Sequence, residues 1–311
     1  MKRATFAAAA AAVVSTPAVV LGQGMATVRV GTSPVESYAL AYYAKEQGFF
    51  ARNGIDAQVA PIPGASGGTT AALIGGAIDV GCVSIGPVSN AHLRGIPIRV
   101  IAPGGIYTSA APTTALVVTK GSALGTARDF DGKTIGTSVL RDLMHVATLK
   151  WIDDNGGDSK SVKIVEMPPQ DGGVALVSGR IDGYPLVEPL LSNEIKNDRV
   201  RIVGDIYDAI TKRLMISMHV AMNDWLEKNP AVARRFVLAM RQAAQWANAN
   251  PGPAAAMLEK ISKIPAASIA QMKHVVHGET LEIAAIQPQI DALAQYQFIS
   301  RRYPVTEIIW R

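Results

Sequence analysis

The sequence predicts an α/β protein built as two similar lobes. Three observations carry that prediction. A set of short motifs occurs twice, each copy alternates strands with helices, and two extended runs fall where the chain would pass between the copies. Strands alternating with helical patterns are the signature of parallel-sheet α/β units.

The duplication is read directly from the residues. Val30-Gly31-Thr32-Ser33 returns as Ile135-Gly136-Thr137-Ser138, 105 positions on. Ala72-Leu73-Ile74-Gly75-Gly76-Ala77-Ile78-Asp79 returns as Ala175-Leu176-Val177-Ser178-Gly179-Arg180-Ile181-Asp182, 103 positions on. Between them, Asn53-Gly54 has its counterpart in Asn155-Gly156. Each motif is short, but three in one order at nearly one offset mark an internal repeat.

Each half then reads element by element. A first strand (Thr27 to Gly31; Lys133 to Gly136) ends in Gly-Thr-Ser. A helix follows, with apolar residues at helical spacing: Leu40, Tyr43, Ala44 and Phe50 in the first half, Leu143, Val146, Leu149 and Ile152 in the second. Asn-Gly stops it, since a left-handed residue suits a helix C-terminus. A second strand comes next (Ile55 to Ala60; Val162 to Met167), then a Pro/Gly loop and a short helix (Thr70 to Gly75; Val174 to Gly179). A third strand closes each unit (Ile78 to Val83; Ile181 to Leu186), and Ile96 to Ala102 adds another to the first lobe. Asp79 and Asp182, in the turn between helix and strand, read as structural.

Thr113 to Thr119 and Leu214 to Met222 are the extended runs, read as the crossings between lobes. The last third is helical. Asn229-Pro230 opens a helix to about Ala249, with proline in its first turn. Further helices are expected at Ala254 to Ile261, Ala267 to Val276 and Glu282 to Arg301, packed mainly on the first lobe. The expected division is therefore 27–112 with 222–311 as the first lobe and 113–221 as the second.

Residues 1–26 read as a secretory leader. Met1-Lys2-Arg3 is a basic start, Ala4 to Leu21 carries no charge, and small residues stand at Gly22, Gly24 and Ala26. Cleavage is expected after Ala26. No cysteine follows the apolar run, so a lipid anchor on a mature N-terminal cysteine is unavailable. The 311 residues carry a net charge of +5, and two of the cations lie in this leader. The remaining basic residues are scattered, which argues against a nucleic-acid surface. A single cysteine, Cys82, rules out an internal disulfide framework.

In open α/β sheets ligands bind beyond the carboxyl ends of the strands. Those ends here carry small polar residues just before helices: Ser33, Ser138 and the run Gly64-Ala65-Ser66-Gly67-Gly68-Thr69. The first turn of a helix offers free N–H groups and partial positive charge. Gly67 and Gly68 leave those groups unshielded. If the lobes face each other, such helix starts converge on one cleft and favour an anion, with Ser84 adding a hydroxyl and Ile85 an apolar contact. Glu188, whose counterpart in the first half is Ile85, either binds a ligand amine or hydroxyl or pairs with Arg141. Arg141, in a helix's first turn, either meets a ligand carboxylate or sulfonate or faces solvent. Tyr38, Tyr107 and Tyr184 serve as aromatic walls or as core.

No nucleophile–base pair, phosphate-loop lysine, dinucleotide fingerprint or His-Glu-x-x-His motif occurs. His274 and His277, three apart, suggest a surface helix rather than a metal site, and His145 lies near a helix start that faces the cleft. No cofactor is expected.

Ala44-Lys45-Glu46-Gln47-Gly48-Phe49-Phe50 with Asn53-Gly54-Ile55, then Ala72 to Asp79, Asp131-Gly132-Lys133-Thr134-Ile135-Gly136 and Val187-Glu188-Pro189 resemble a known family. It comprises the periplasmic solute-binding proteins of ABC importers for nitrate, sulfonate, taurine and thiamine-precursor pyrimidines (NMT1/THI5-like). The resemblance spans roughly residues 27 to 225. It implies the type II periplasmic binding protein fold, two lobes joined by two crossing segments. It also implies a monomeric receptor in the periplasm that captures one small molecule and delivers it to a membrane permease. The family often has a Thr where Ile85 stands and a Trp where Val187 stands. A roomier, less polar pocket follows, suited to a small organic anion, an aliphatic or aromatic carboxylate or sulfonate, better than to nitrate. The alternatives are a pyrimidine receptor or a related enzyme on the same fold. The enzymes are cytosolic and use a Cys-rich motif, which this chain lacks.

Overall fold

The computed structural model describes residues 24–311. The expected leader falls outside them apart from its last three residues. In chain order, the first unit comprises β1 (Ala26–Thr32), α1 (Leu40–Glu46), α2 (Phe49–Arg52), β2 (Ile55–Pro61), α3 (Ala65–Ile74), β3 (Val80–Val83), α4 (Ile85–Leu93) and β4 (Ile98–Pro103). Next come β5 (Gly105–Thr108), β6 (Thr114–Thr119), β7 (Thr134–Thr137), α5 (Leu143–Asp154), β8 (Lys163–Glu166), α6 (Pro169–Val177), β9 (Tyr184–Val187), α7 (Leu190–Lys196) and β10 (Val200–Gly204). The chain ends through β11 (Arg213–Met215), β12 (Met218–Met222), α8 (Asn223–Lys228), α9 (Pro230–Ala249), α10 (Pro251–Ser262), α11 (Ala266–Ile269), β13 (Val276–His277) and α12 (Ile283–Gln295).

The first lobe's sheet has the order β2-β1-β3-β12-β4, with β1 parallel to β2 and β3 and β12 antiparallel to β3 and β4. The second lobe repeats it. β7 and β8 are parallel, and β6 runs antiparallel to β9 and β10. A parallel bridge between Ile135 and Gly183 joins these two parts, so the order reads β8-β7-β9-β6-β10. The repeated aspartates do the same job in both lobes. Asp79 accepts the Arg29 N–H at 2.8 Å, and Asp182 accepts the Thr134 N–H at 2.8 Å. Each thereby ties the turn before the third strand to the first strand. The Asn-Gly stops also match: Gly54 and Gly156 sit at φ 67° and 85°, where a side chain is strained.

The crossings differ from the expected ones. Thr114–Thr119 is an inner strand of the second sheet, and Met218–Met222 lies in the first sheet between β3 and β4. The passage is made by β5, outside either expected run, and by β11, which includes the first two residues of the expected Leu214 to Met222 run; the two pair antiparallel with each other, while β13 pairs with the other edge of β5. A β-branched run inside a sheet and one in a crossing look alike in sequence, because both are extended and buried.

The last third departs in two places. The helix expected over Ala267 to Val276 stops at Ile269, because Val276 and His277 pair with Ile106 and Gly105. His274 and His277 therefore share no helix face. α12 ends at Gln295, and Gln297 turns the chain at φ 57°. α9 keeps to the first lobe. Its buried face of Ala233, Phe236, Met240, Ala243 and Ala247 follows helical spacing and packs on α1 and α2, with Phe236 stacked on Phe50 at 5.3 Å. α12 packs on α4 of one lobe and α5 of the other, so it bridges them. Among the described residues no helix is long and apolar enough to cross a membrane.

Candidate functional site

Both lobes deliver helix starts to one interlobe cleft. The cavity at the centre of the cleft has a volume of about 50 Å³. From the first lobe it is lined by Ser33, Ser37 and Tyr38 after β1, Ser66 and Thr69 on α3, and Cys82 and Ser84 around the end of β3. From the second come Ser138 after β7, Asp142, Leu143 and Met144 at the start of α5, Pro169 at the start of α6, Val187 and Tyr207. The mouth continues outward along Pro34, Pro61, Pro63, Glu166, Met167 and Gln170.

The first-lobe hydroxyls form a chain. The Tyr38 hydroxyl lies 3.2 Å from Ser66 Oγ, which accepts the Ser84 N–H at 3.0 Å. The Ser84 hydroxyl donates to the Asp142 carboxylate, whose other oxygen accepts the Gly86 N–H at 2.9 Å. Asp142 belongs to the second lobe and precedes α5, so one carboxylate stands between the N-termini of α4 and α5. Two partially positive helix ends facing each other are held together by the charge between them. Burial pushes the Asp142 carboxyl above the usual range, while its bonds from Ser84, Leu143 and Gly86 favour the charged form. Burial also pushes the Tyr38 and Tyr207 hydroxyls up, with the Asp142 charge adding to it, and pushes the Cys82 thiol up to about 12. All three keep their protons at neutral pH.

Of the residues that sequence reasoning put forward, Ser33, Tyr38, Ser66, Ser84 and Ser138 line the cleft. Six do not. Gly67 and Gly68 lie inside α3 rather than in a loop before it, and a β-carbon on Gly68 would stand 1.9 Å from the Pro63 carbonyl oxygen. Close packing requires glycine at Gly68, whereas a β-carbon on Gly67 would meet only Val139, at 3.9 Å. Ile85 is fully buried in the first-lobe core. Tyr184 is buried against Gly172 and Gly136, with its hydroxyl donating to the Met167 carbonyl at 3.1 Å. Glu188 accepts the Ser192 N–H at 3.0 Å and its hydroxyl at 2.8 Å, and it makes no pair with Arg141. Arg141 turns out of the cleft and donates to the Gln297 carbonyl at 2.7 Å and the Phe298 carbonyl at 3.0 Å. Tyr107 is core, against Tyr207.

His145 also leaves the cleft. Its Nδ1 accepts the Arg141 N–H at 3.0 Å, its ring meets Phe298, and burial holds it down at about 4, so it is neutral. His277 is buried in β13, and His274 pairs with Glu36 at 2.6 Å beside the crossings. Among the described residues no group of three His, Cys, Asp or Glu side chains is placed to hold a metal.

Sequence reasoning missed Asp142 and Tyr207. Asp142 had a signal: an aspartate immediately before a helical pattern is a favoured N-cap residue. Tyr207, on a short 3-10 turn over Ile206–Ala209, had none.

This architecture recurs in solved proteins. The alkanesulfonate-binding protein SsuA from Xanthomonas axonopodis pv. citri, bound to MOPS, superposes with a TM-score of 0.79 at 17% identity, covering 93% of this chain and 100% of that one. The periplasmic aliphatic sulphonate binding protein SsuA from Escherichia coli gives 0.73 at 17%, covering 92% of each chain. The periplasmic nitrate-binding protein NrtA from Synechocystis PCC 6803 gives 0.69 at 17%, covering 78% of this chain and 69% of that one. At such identity the likeness establishes the periplasmic binding protein fold. No curated protein matches the chain by sequence. The NMT1/THI5-like family model matches residues 36–254, from the turn that carries Tyr38 through both lobes to the start of α10. With most of its length under that match, the chain belongs to the NMT1/THI5-like family.

Proposed function

We propose that this protein is the solute-binding receptor of an ABC importer, acting outside the cytoplasm. It captures one small molecule between its lobes and presents it to a membrane permease without transforming it. The observation that carries the reading is a cleft lined from two lobes of the same strand order, with α12 and the β5–β11 pair as the links between them. Lobes joined by a few extended segments close by hinge motion. The lining supplies hydroxyls, one carboxylate and apolar walls, which suit recognition. The leader-like residues 1–26 support export, and the matched relatives are named as periplasmic binding proteins.

The experiment is a thermal-shift screen of small metabolites on the mature chain, followed by small-angle scattering and mass spectrometry with each hit. A solute at ~100-fold above its Kd stabilises the fold by about 2.7 kcal/mol, a shift of several degrees. Unchanged solute after long incubation, with a more compact particle, is the expected result. Conversion of the solute would make the protein an enzyme, and an unaltered scattering profile at saturation would remove closure from the account.

A further inference from the structure

Two buried carboxyl groups, one from each lobe, stand behind the cleft. Glu36 lies on the 3-10 turn Glu36–Tyr38 of the first lobe, beside the cleft residues Ser37 and Tyr38. Glu188 follows β9 of the second lobe, beside the cleft residue Val187. Glu36 is 4% exposed and Glu188 5%. The segment between α11 and β13 is strung between them, with Met272 in the first-lobe core and Val275 in the second-lobe core. Glu36 Oε1 lies 2.6 Å from His274 Nδ1, and Oε2 accepts the Val275 N–H at 3.0 Å. Glu188 is held by Ser192 of its own lobe and takes a further N–H from Lys273 of that segment. Beside it α7 touches α11, where the Ser268 hydroxyl donates to Asn193 Oδ1 at 3.1 Å.

We propose that this junction links closure to a proton: Glu188 holds the proton while the lobes are closed and gives it to water as they part, so acid favours the closed form. The inference rests on the hinged receptor reading above. In the closed form both carboxyl groups share a space that water hardly enters, with one imidazole, His274, to offset them. Two carboxylates there carry more charge than one imidazolium neutralises, and burial disfavours the surplus. Burial and the Glu36 charge accordingly raise the Glu188 carboxyl to about 7. The other groups around the cluster do not relieve it. Burial keeps His277 of β13 neutral and Tyr43 of α1 protonated. The Lys273 side chain is exposed, and Glu194 of α7 pairs with Arg199. When the hinge opens, Ser192 moves with Glu188, whereas Glu36 stays with the first lobe. The carboxyl meets water and returns toward its ordinary value. A solvent-open hollow lined by Glu36, Asn248, Pro251, His274 and His277 gives the proton its path.

The test needs no solute. Spin labels on Ile74→Cys and Val177→Cys, exposed positions on the equivalent helices α3 and α6, report the distance between lobes. The native Cys82 is buried and stays unlabelled. As pH rises from about 5 to about 7, the closed-to-open ratio should fall by up to about tenfold per unit and then level off. Glu188→Gln keeps the shape and the Ser192 bonds without the proton, so its ratio should stay constant over that range. Wild-type distances that do not respond to pH overturn the inference. So does a slope retained in Glu188→Gln, which would belong to Asp142, the other buried carboxyl between the lobes. If Glu188→Gln does not fold by circular dichroism, Glu36→Gln removes the facing charge instead, and an undiminished slope there overturns the inference. A solute from the screen that shortens the distance equally at every pH defeats the inference and leaves the receptor reading standing. Distances that answer neither to pH nor to any solute defeat both.

Discussion

The Gly86 N–H and the Asp142 carboxylate meet across the cleft at 2.9 Å, and that approach requires glycine. A β-carbon on Gly86 would stand 2.5 Å from Asp142 Oδ1 and 2.9 Å from the Arg141 carbonyl oxygen. These neighbours belong to the opposite lobe and to backbone that is held on both sides. A methyl group there acts as a wedge between α4 and α5. Gly86→Ala is therefore expected to hold the lobes apart while leaving each lobe folded. Small-angle scattering should show a larger particle that saturating solute fails to compact, and solute affinity should fall by about tenfold or more as the closed fraction drops. A closed profile for Gly86→Ala would mean that the contact yields easily.

Arg141 clasps the second lobe to the segment after α12. Its guanidinium donates to the Gln297 and Phe298 carbonyls and lies 5.9 Å from the Phe298 ring centre. The Arg141 backbone is left-handed, at φ 60°. Arg141→Ala should weaken solutes of every charge by one common factor, on the order of 1 kcal/mol for a few partly exposed hydrogen bonds. Calorimetry with an anionic, a neutral and a cationic probe checks this. A loss confined to anions would place the guanidinium against the solute after all.

Stability should fall between mild acid and neutral pH because of Glu188. Burial raises its carboxyl to about 7, the nearby Glu36 adds to the rise, and the Ser192 bonds oppose it. A carboxyl whose folded value lies above its unfolded value binds a proton on folding. Its contribution is fully present below about pH 4.3 and is lost as pH rises through about 7. His274, raised chiefly by its bond to Glu36, acts in the same direction at the upper end. The whole effect of Glu188 amounts to about 3 kcal/mol. Melting temperatures of Glu188→Gln across this range should form a flatter curve than those of the wild type, and parallel curves would refute the assignment.

The secreted chain should begin near Thr27. Intact-mass measurement of material recovered outside the cytoplasm checks this. Full-length mass starting at Met1 would show that residues 1–26 are retained.

The two-lobed plan was legible in the sequence because an internal repeat carries its own grammar. Gly-Thr-Ser at the end of a strand, Asn-Gly at the end of a helix and aspartate before the third strand are local devices, set by dihedral angles and hydrogen bonds within a few residues. They hold wherever the copy lies. So the first, second and third strands of each lobe, the α9 start at Asn229-Pro230, and the places of Ser33, Ser66, Ser84 and Ser138 beyond the strand ends could be read one residue at a time. Which extended run crosses between lobes could not, since Thr114–Thr119 and Gly105–Thr108 differ only in the strands that pair with them. The electrostatic character of the cleft was likewise a tertiary decision. Arg141 and Asp142 are neighbours in the chain at the start of α5, and sequence offers each the same access to the cleft. The left-handed turn at Arg141 sends the guanidinium out to the carbonyls after α12 and sends the next side chain inward, onto the α4 start. The partners that separate a cation from an anion there lie 156 and 56 positions away, beyond what any local pattern encodes.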